Sequence, residues 1–241
     1  MSEKLSASTT RTNVLVLSQV LDQAVQDSRI VSNPWDGLDL PKLEHKDRRY
    51  LSFEQVDLLA EAAGNNSVLV YVLAYCGLRF GEAAALTIAD VNLERRLRIH
   101  RSATVVNSKI VVSSPKANQA RDVPLPRFLA DLLEERIEGK APADLLFPDP
   151  RGGHMRVGNV RRRWCDAAVK ESGVPEGLTL HELRHTAASL AITVGANIKT
   201  LQRMLGHASA ALTLDRYGHL FDDDLGMVAD QLDKLARPGG S

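Results

Sequence analysis

The stretch Leu-His-Glu-Leu-Arg-His-Thr occupies residues 180–186. It opens a segment, 180–194, whose pattern predicts an α-helix. His181 and Arg184 are three residues apart, so their side chains leave such a helix roughly 60° apart and face the same partner. The sequence therefore predicts a helix that presents an imidazole and a guanidinium to one target. His185 leaves the helix about 100° from Arg184, which favours a packing or supporting role.

A second arginine stands in Gly-Leu-Arg-Phe-Gly-Glu at residues 77–82. The apolar stretch 67–76 before it predicts a buried helix, which Gly77 ends. Arg79 would begin the next helix, where Glu82 is one turn away and can orient it. By itself, this arrangement is typical of a helix-terminal salt bridge.

Three further stretches carry a reactive or basic side chain. Ser-Pro-Lys-Ala-Asn-Gln at residues 114–119 places Lys116 at the tip of an expected hairpin. Leu-Gly-His ends at His207, and Thr-Leu-Asp-Arg-Tyr ends at Tyr217. Each signal is weak or moderate alone, since a lysine at a hairpin tip, for example, is usually an ordinary surface residue.

The rest of the pattern indicates a mainly helical α+β domain with one small antiparallel β-sheet. Alternating residues predict strands at 96–100 and on through Val105, at 109–112 and at 122–125. Helical patterns fill most of the remainder, at 53–63, 67–76, 80–86, 126–138, 158–172, 180–194, 197–205, 209–217 and 224–236.

The N-terminal residues form a separate region. Apolar positions at helical spacing predict a helix over 12–30, which must end before Asn33-Pro34. A stretch rich in proline and charged residues follows and indicates a linker. We therefore place a domain boundary near residue 46, which gives a short region, 1–46, and a large domain, 47–241.

Composition bounds the class of protein without selecting one. The chain has 241 residues, 44% hydrophobic and 25% charged, with no formal net charge, whereas many DNA-binding domains are basic. Residues 222–241 carry five aspartates against Lys234 and Arg237, so this tail is net −3 and the remainder is +3. Two cysteines, a polar N-terminus and no apolar run of roughly 18 residues predict a cytoplasmic protein with reduced thiols and no membrane span.

Taken together and in order, these residues resemble the signature of the tyrosine recombinase, or phage integrase, family: Arg, Lys, His-x-x-Arg, His, Tyr. The flanking Gly-Leu-Arg-x-x-Glu, His-x-Leu-Arg-His-Thr, Leu-Gly-His and Tyr-x-His are similar as well. The resemblance runs from about residue 50 to about residue 235, and the linker sequence favours integrases of actinobacterial phages or prophages. The matching positions are Arg79, Lys116, His181, Arg184, His207 and Tyr217.

The resemblance implies a site-specific recombinase that cuts and rejoins double-stranded DNA. Tyr217 would attack a phosphodiester and form a 3′-phosphotyrosine, without ATP, metal or cofactor. Guanidinium groups suit a phosphate because they stay charged and donate bidentately. Arg79 and Arg184 would therefore clamp the two non-bridging oxygens, and His207 would add a third hydrogen bond.

The same resemblance assigns the proton transfers and the assembly. The phenol must lose its proton, for which His181 is the expected acceptor, and Lys116 would protonate the 5′-oxygen leaving group. We expect a monomer in free solution and a homotetramer on paired DNA sites, with the helix 224–236 linking protomers. The helix in region 1–46 resembles the last helix of a core-binding domain, so the chain is either a fragment or a protein with a reduced clamp.

Other functions remain open at this point. A chromosome-dimer-resolving recombinase or a type IB topoisomerase would use a similar pocket. A helical DNA-binding repressor would need no nucleophilic tyrosine. His181-Glu182-x-x-His185 is also the zinc metalloprotease motif, although that function leaves the arginines, the lysine and the tyrosine unexplained.

Overall fold

A computed structural model describes residues 5–42, 49–114 and 120–221, together with tail positions 226, 229, 230, 232, 233 and 236. The chain divides into two compact units, Met1–Asp47 and Arg48–Ser241. Lys116 and most of the predicted helix 224–236 lie outside the described residues. None of the described helices is both long and apolar enough to cross a membrane.

In the first unit, helix α1 spans Ala7–Gln26. It begins before the predicted residue 12 because the hydroxyl of Ser6 accepts a hydrogen bond from the backbone N–H of Thr9 and caps it. It ends, as predicted, before Asn33-Pro34. The Asn33 side chain donates to the carboxylate of Asp22 at 2.7 Å and so ties the following segment to the helix. No residue of α1 is buried.

One helix lies at the centre of the second unit. This helix, α3 (Ser67–Cys76), is almost entirely apolar, and its Val72, Leu73 and Ala74 have no exposed surface. It therefore supplies the core against which other helices bury their apolar faces. The helices that pack against it include α2 (Phe53–Ala62), α4 (Phe80–Ala83), α5 (Arg127–Ile137) and α8 (Leu180–Thr193).

The strands form two small antiparallel sheets where the sequence predicted one. Residues 100 and 101 lie between the two sheets, and the side chains of His100 and Arg101 both contact the buried carboxylate of Asp90. One sheet has the order β1 (Val91–Asn92), β2 (Arg96–Ile99), β5 (Arg121–Pro124), and the other pairs β3 (Ser102–Val106) with β4 (Lys109–Ser113).

The hairpin also lies earlier in the chain than expected. Asn107 and Ser108 turn the chain between β3 and β4, with φ angles of 47° and 62°. In the described residues, β4 pairs with β3 whereas β5 pairs with β2, so the strands on either side of Lys116 do not pair with each other. Lys116 itself, predicted at a hairpin tip, lies outside the described residues.

The C-terminal half is helical, as predicted. A capping box begins helix α8, in which the side chains of Thr179 and Glu182 each accept from the other's backbone N–H. The Thr179 N–H donates to Glu182 Oε2 at 2.6 Å. The predicted helix 158–172 contains a single π-helical segment. The remaining elements are α6 (Val157–Val160), the π segment (Arg161–Cys165), α7 (Asp166–Glu171), α9 (Ile198–Leu205), α10 (Ala210–Tyr217) and a 3₁₀ turn (Gly218–Leu220).

Candidate active site

Arg184 is buried at the centre of the candidate site, with 2% of its surface exposed. It projects from α8, and its guanidinium donates to the carbonyl oxygen of Gly77 at 2.5 Å and to that of Leu205. Gly77 caps the end of α3 and Leu205 is the last residue of α9. Burial lowers the pKa of Arg184 to about 9, so the side chain is still charged at pH 7.

A buried carboxylate, Glu82, holds the arginines of the site together. Its two oxygens accept hydrogen bonds from Arg79 Nη1 at 3.0 Å and from Arg121 Nη1 and Nη2 at 3.0 and 2.8 Å, and Arg184 Nη1 lies 4.0 Å away. Burial alone would raise the pKa of this carboxyl, but the hydrogen bonds and charges of the arginines hold it below its usual value. Glu82 is therefore ionised, and the predicted contact between Glu82 and Arg79 is confirmed.

Arg121 is a member of this cluster that the sequence did not reveal. It begins β5, and besides its paired bonds to Glu82 it donates from Nε to the carbonyl oxygen of Met204 at 2.9 Å. Its guanidinium covers Gly206, where an added Cβ atom would lie 2.9 Å from Nη1. Nothing in the local sequence Ala-Arg-Asp-Val-Pro distinguishes Arg121 from a surface arginine, so only the fold reveals its position.

His207 follows the left-handed residue that ends α9 and is 5% exposed. Its Nδ1 lies 3.0 Å from the hydroxyl of Thr213, and its Nε2 has no hydrogen-bond partner among the described residues. Burial, together with the charges of Arg184 and other arginines, lowers its pKa to about 4, so the ring is neutral at pH 7. A neutral ring that accepts from Thr213 at Nδ1 carries its proton on Nε2 and can donate it to an anion.

Tyr217 ends α10 and has no exposed surface. Its ring lies parallel to that of His207, with 6.2 Å between centroids and 4° between planes. Its phenol oxygen lies 2.7 Å from Nδ1 of His185. The sequence predicts a packing or supporting role for His185, whereas the structure brings it into direct contact with the phenol.

His181 lies one helical turn before His185, and the two rings meet edge to face with 4.9 Å between centroids. Burial lowers the pKa of His181, and the positive charges of Arg184, Arg216 and Arg79 lower it further. The ring is therefore neutral at pH 7 and can accept a proton.

The metalloprotease motif is used differently in this structure. The Glu182 carboxylate accepts a hydrogen bond at the start of its own helix, and His185 contacts Tyr217. In the part of the chain that the structure describes, no group of three or more His, Cys, Asp or Glu side chains could hold a metal ion. The contacts of Glu182 and His185 favour phosphate chemistry over zinc-dependent hydrolysis.

The structure brings most of the predicted residues together. Arg79 and Arg184 lie next to the negatively charged carboxylate of Glu82, and the rings of His207 and Tyr217 lie parallel to each other beside them. Lys116, as noted, lies outside the described residues, and its role stays a prediction.

Comparison with known proteins gives the family. A profile of the phage integrase family matches residues 49–223. Because this match covers most of the chain, the chain belongs to the phage integrase family, and the predicted resemblance is confirmed.

Relatives in this family include integrases of mycobacterial phages, which fits the predicted leaning. The integrase of Mycobacterium phage L5 is 28% identical over 92% of this chain and 62% of its own length, and that of Mycobacterium phage FRAT1 is 30% identical over 83% and 62%. A tyrosine recombinase of Pseudothermotoga lettingae is 26% identical over 99% and 76%. The chain spans about three fifths of the length of these phage integrases.

Solved structures share the fold. The Tn1549 transposon integrase in complex with a circular intermediate DNA aligns with a TM-score of 0.77 at 21% identity, over 89% of this chain and 76% of that one. A lambda integrase dimer bound to a COC′ core site aligns with a TM-score of 0.66 at 20% identity, over 87% and 73%. The likeness confirms the predicted mainly helical recombinase fold.

Proposed function

We propose that the chain is the catalytic part of a site-specific DNA recombinase, an integrase that cuts and rejoins double-stranded DNA through a 3′-phosphotyrosine. One observation carries the proposal: the fold brings anchored arginines, a neutral histidine and a tyrosine from distant parts of the sequence close together. The names of the relatives, integrases and tyrosine recombinases, support the same reaction.

The arginines and His207 are the groups that would bind the scissile phosphate. The transition state of phosphoryl transfer adds charge on the non-bridging oxygens, so catalysis needs donors fixed in advance. Glu82 fixes Arg79, two carbonyl groups fix Arg184, and Thr213 fixes the ring of His207. Contacts within the protein hold each donor, which lowers the cost of organising the site when DNA binds.

Tyr217 supplies the nucleophile. Its ordinary phenol pKa is about 10, so a base must take the proton as the oxygen attacks phosphorus. The His185 imidazole contacts the phenol and the His181 imidazole contacts His185, which supports a base from α8. The P–O5′ bond then breaks and leaves a 3′-phosphotyrosine. Attack by another 5′-hydroxyl reverses these steps and joins a new strand, so the bond energy is retained and no ATP is consumed.

Lys116 is the proposed acid for the 5′-oxygen leaving group. A Lys116→Ala variant should cleave ordinary DNA slowly, because a deoxyribose alkoxide is a poor leaving group. A substrate with sulfur at the 5′-bridging position needs little protonation, so the defect should largely disappear in a single-turnover cleavage assay. An equal defect on both substrates would assign Lys116 to phosphate binding instead.

Double-stranded DNA is the proposed partner, because the Tn1549 and lambda integrase structures that share the fold are DNA complexes. We infer a monomer in free solution and a homotetramer on paired sites, with the tail beyond Leu220 linking protomers. A chain that ends at Leu220 should then bind one site normally and fail to pair two sites in a gel-shift assay. Normal pairing by the shortened chain would contradict this role of the tail.

Trapping a covalent complex tests the proposed function directly. A nicked duplex loses the cut fragment and accumulates protein joined to DNA, which denaturing gels resolve and mass spectrometry maps to a residue. The adduct should form on Tyr217 and persist in excess chelator. Tyr217→Phe should bind DNA equally and form no adduct, and an adduct in that variant would overturn the assignment.

A further inference from the structure

We propose that His185 is the immediate proton acceptor of Tyr217 during DNA cleavage, with His181 one ring further from the phenol. The inference rests on the proposed function and assigns a catalytic role to a residue outside the family signature found in the sequence. The geometry of α8 and α10 carries it.

The contact itself is short and specific. Nδ1 of His185 lies 2.7 Å from the phenol oxygen of Tyr217, which is the usual separation for a hydrogen bond to a hydroxyl. A candidate base must lie within hydrogen-bond reach of the proton that it removes. His185 meets this requirement.

The position of His185 follows from helix geometry. His181 and His185 are one turn apart and therefore share a face of α8, where their rings contact each other. Arg184 leaves the helix about 100° away and turns to the carbonyl oxygens of Gly77 and Leu205 instead. One helix thus presents a guanidinium and, on a neighbouring face, two imidazoles in edge-to-face contact, and Tyr217 of α10 contacts His185.

Burial shields the phenol of Tyr217 from solvent. Tyr217 has no exposed surface, and its ring lies parallel to that of His207. Bulk water is therefore not the first acceptor available to its proton. The charged groups that act on the neighbouring ring of His181 are Arg184 and Glu182 from α8, Arg216 from α10 and Arg79, and with burial they lower the pKa of His181. A charged His181 beside His185 is therefore disfavoured.

The proton balance of the step is simple. The phenol O–H bond of Tyr217 breaks, its proton moves to Nδ1 of His185, and the oxygen forms a bond to phosphorus. The P–O5′ bond breaks, and the leaving oxygen takes a proton from the general acid, for which Lys116 is proposed. In the rejoining step, His185 returns its proton to the tyrosine oxygen as the phosphotyrosine bond breaks.

The experiment compares His185→Asn with His181→Asn in single-turnover cleavage of the nicked duplex. Asparagine places an amide oxygen about where Nδ1 stood, so it keeps the hydrogen bond to the phenol but cannot take its proton. Because general-base catalysis contributes on the order of 100-fold or more, His185→Asn should slow adduct formation by about that factor. DNA binding should not change, and His181→Asn should be less impaired than His185→Asn.

Fluorination of the nucleophile separates proton transfer from positioning. A fluorinated tyrosine at position 217 is more acidic and depends less on a base, so it should restore cleavage by His185→Asn by about tenfold and change the unsubstituted protein much less. His185→Ala should respond to fluorination in the same way, which controls for any loss of fold specific to asparagine.

Each outcome is decisive. Cleavage by His185→Asn within about threefold of the unsubstituted protein, where base catalysis would supply far more, overturns the assignment. A defect that fluorination leaves unchanged overturns it as well and makes His185 a positioning residue. If the unsubstituted protein forms no adduct at Tyr217, the proposed function itself fails, so the two failures are distinguishable.

Discussion

The two sides of the candidate active site are built on different principles. On the arginine side, Arg79, Arg121 and Arg184 surround the buried carboxylate of Glu82 and donate to it or to backbone carbonyl oxygens. On the aromatic side, the rings of three histidines and Tyr217 contact one another, and His207 Nε2 has no partner among the described residues.

This difference separates stability from chemistry. A buried ion pair that loses one partner leaves an uncompensated charge, so changes on the arginine side should destabilise the whole domain. On the aromatic side, the rings of His181 and His207 are neutral at pH 7 because their pKa values are lowered, and changes there should affect the reaction more than the fold.

Glu82→Gln should be the most destabilising change. It removes the negative charge that Arg79, Arg121 and Arg184 share, and loss of one partner from a buried charge cluster costs about 3–5 kcal/mol. Urea unfolding at pH 7 would measure the loss. Glu135→Gln, which alters an exposed glutamate of α5, is the matched control and should unfold at nearly the same urea concentration. Equal stability of the two variants would show that the arginines do not need the carboxylate.

Acidification should destabilise the domain through His207. Its pKa is lowered from 6.5 to about 4, so below pH 6.5 the unfolded chain binds a proton that the folded protein resists. The loss of stability begins there, grows as pH falls, and is complete near pH 4 at about 3 kcal/mol. Unfolding measured from pH 7.5 to 4.5 should show this slope. His207→Gln should reduce it, and the slope that remains belongs to the other groups, such as His181.

Gly206→Ala should cost more than Gly173→Ala. Both glycines have left-handed backbones, with φ angles of 63° and 69°, which penalise alanine by about 1–2 kcal/mol. A Cβ at Gly206 would also press on the guanidinium of Arg121, whereas one at Gly173 meets nothing within 4 Å. Since Glu82 holds Arg121 in place, thermal unfolding should place Gly206→Ala lower. Identical melting temperatures would mean that Arg121 moves freely.

Thr213→Val should affect cleavage and leave stability nearly unchanged. Without the hydroxyl, nothing at this position fixes the proton of His207 on Nε2. The variant should cleave more slowly, by less than the roughly 100-fold that complete loss of such a donor costs. Thr213→Ser keeps a hydroxyl and should retain most activity. Adduct formation on a nicked duplex would measure both variants, and a serine variant as slow as the valine variant would point to packing instead.

The sequence predicted well what depends on neighbouring residues. Helices were predicted at 180–194, 197–205 and 209–217, and the structure has Leu180–Thr193, Ile198–Leu205 and Ala210–Tyr217. Apolar periodicity and capping residues act within one or two turns, so they are readable from a single segment. The order of the signature residues is likewise a property of the sequence itself.

Features that depend on distant pairing could not be predicted. Arg121 belongs to the site only because β5 crosses near Glu82. The sheet divides at His100 and Arg101, whose contacts with Asp90 join residues ten and eleven positions apart. His185 was set aside because it points away from Arg184. A helix with a single partner would leave His185 outside the site, but α8 also contacts α10, where Tyr217 meets His185.

The two carbonyl groups that Arg184 contacts determine the spacing of the donor groups in the site. One belongs to the cap of α3 and stands two residues before Arg79, and the other ends α9 and stands two residues before His207. One planar guanidinium therefore connects two helix ends, and its bond lengths limit the distance between the flanking donors, Arg79 and His207. If helix packing changes elsewhere, the three donors move together, so the site can keep its size while the surrounding sequence diverges.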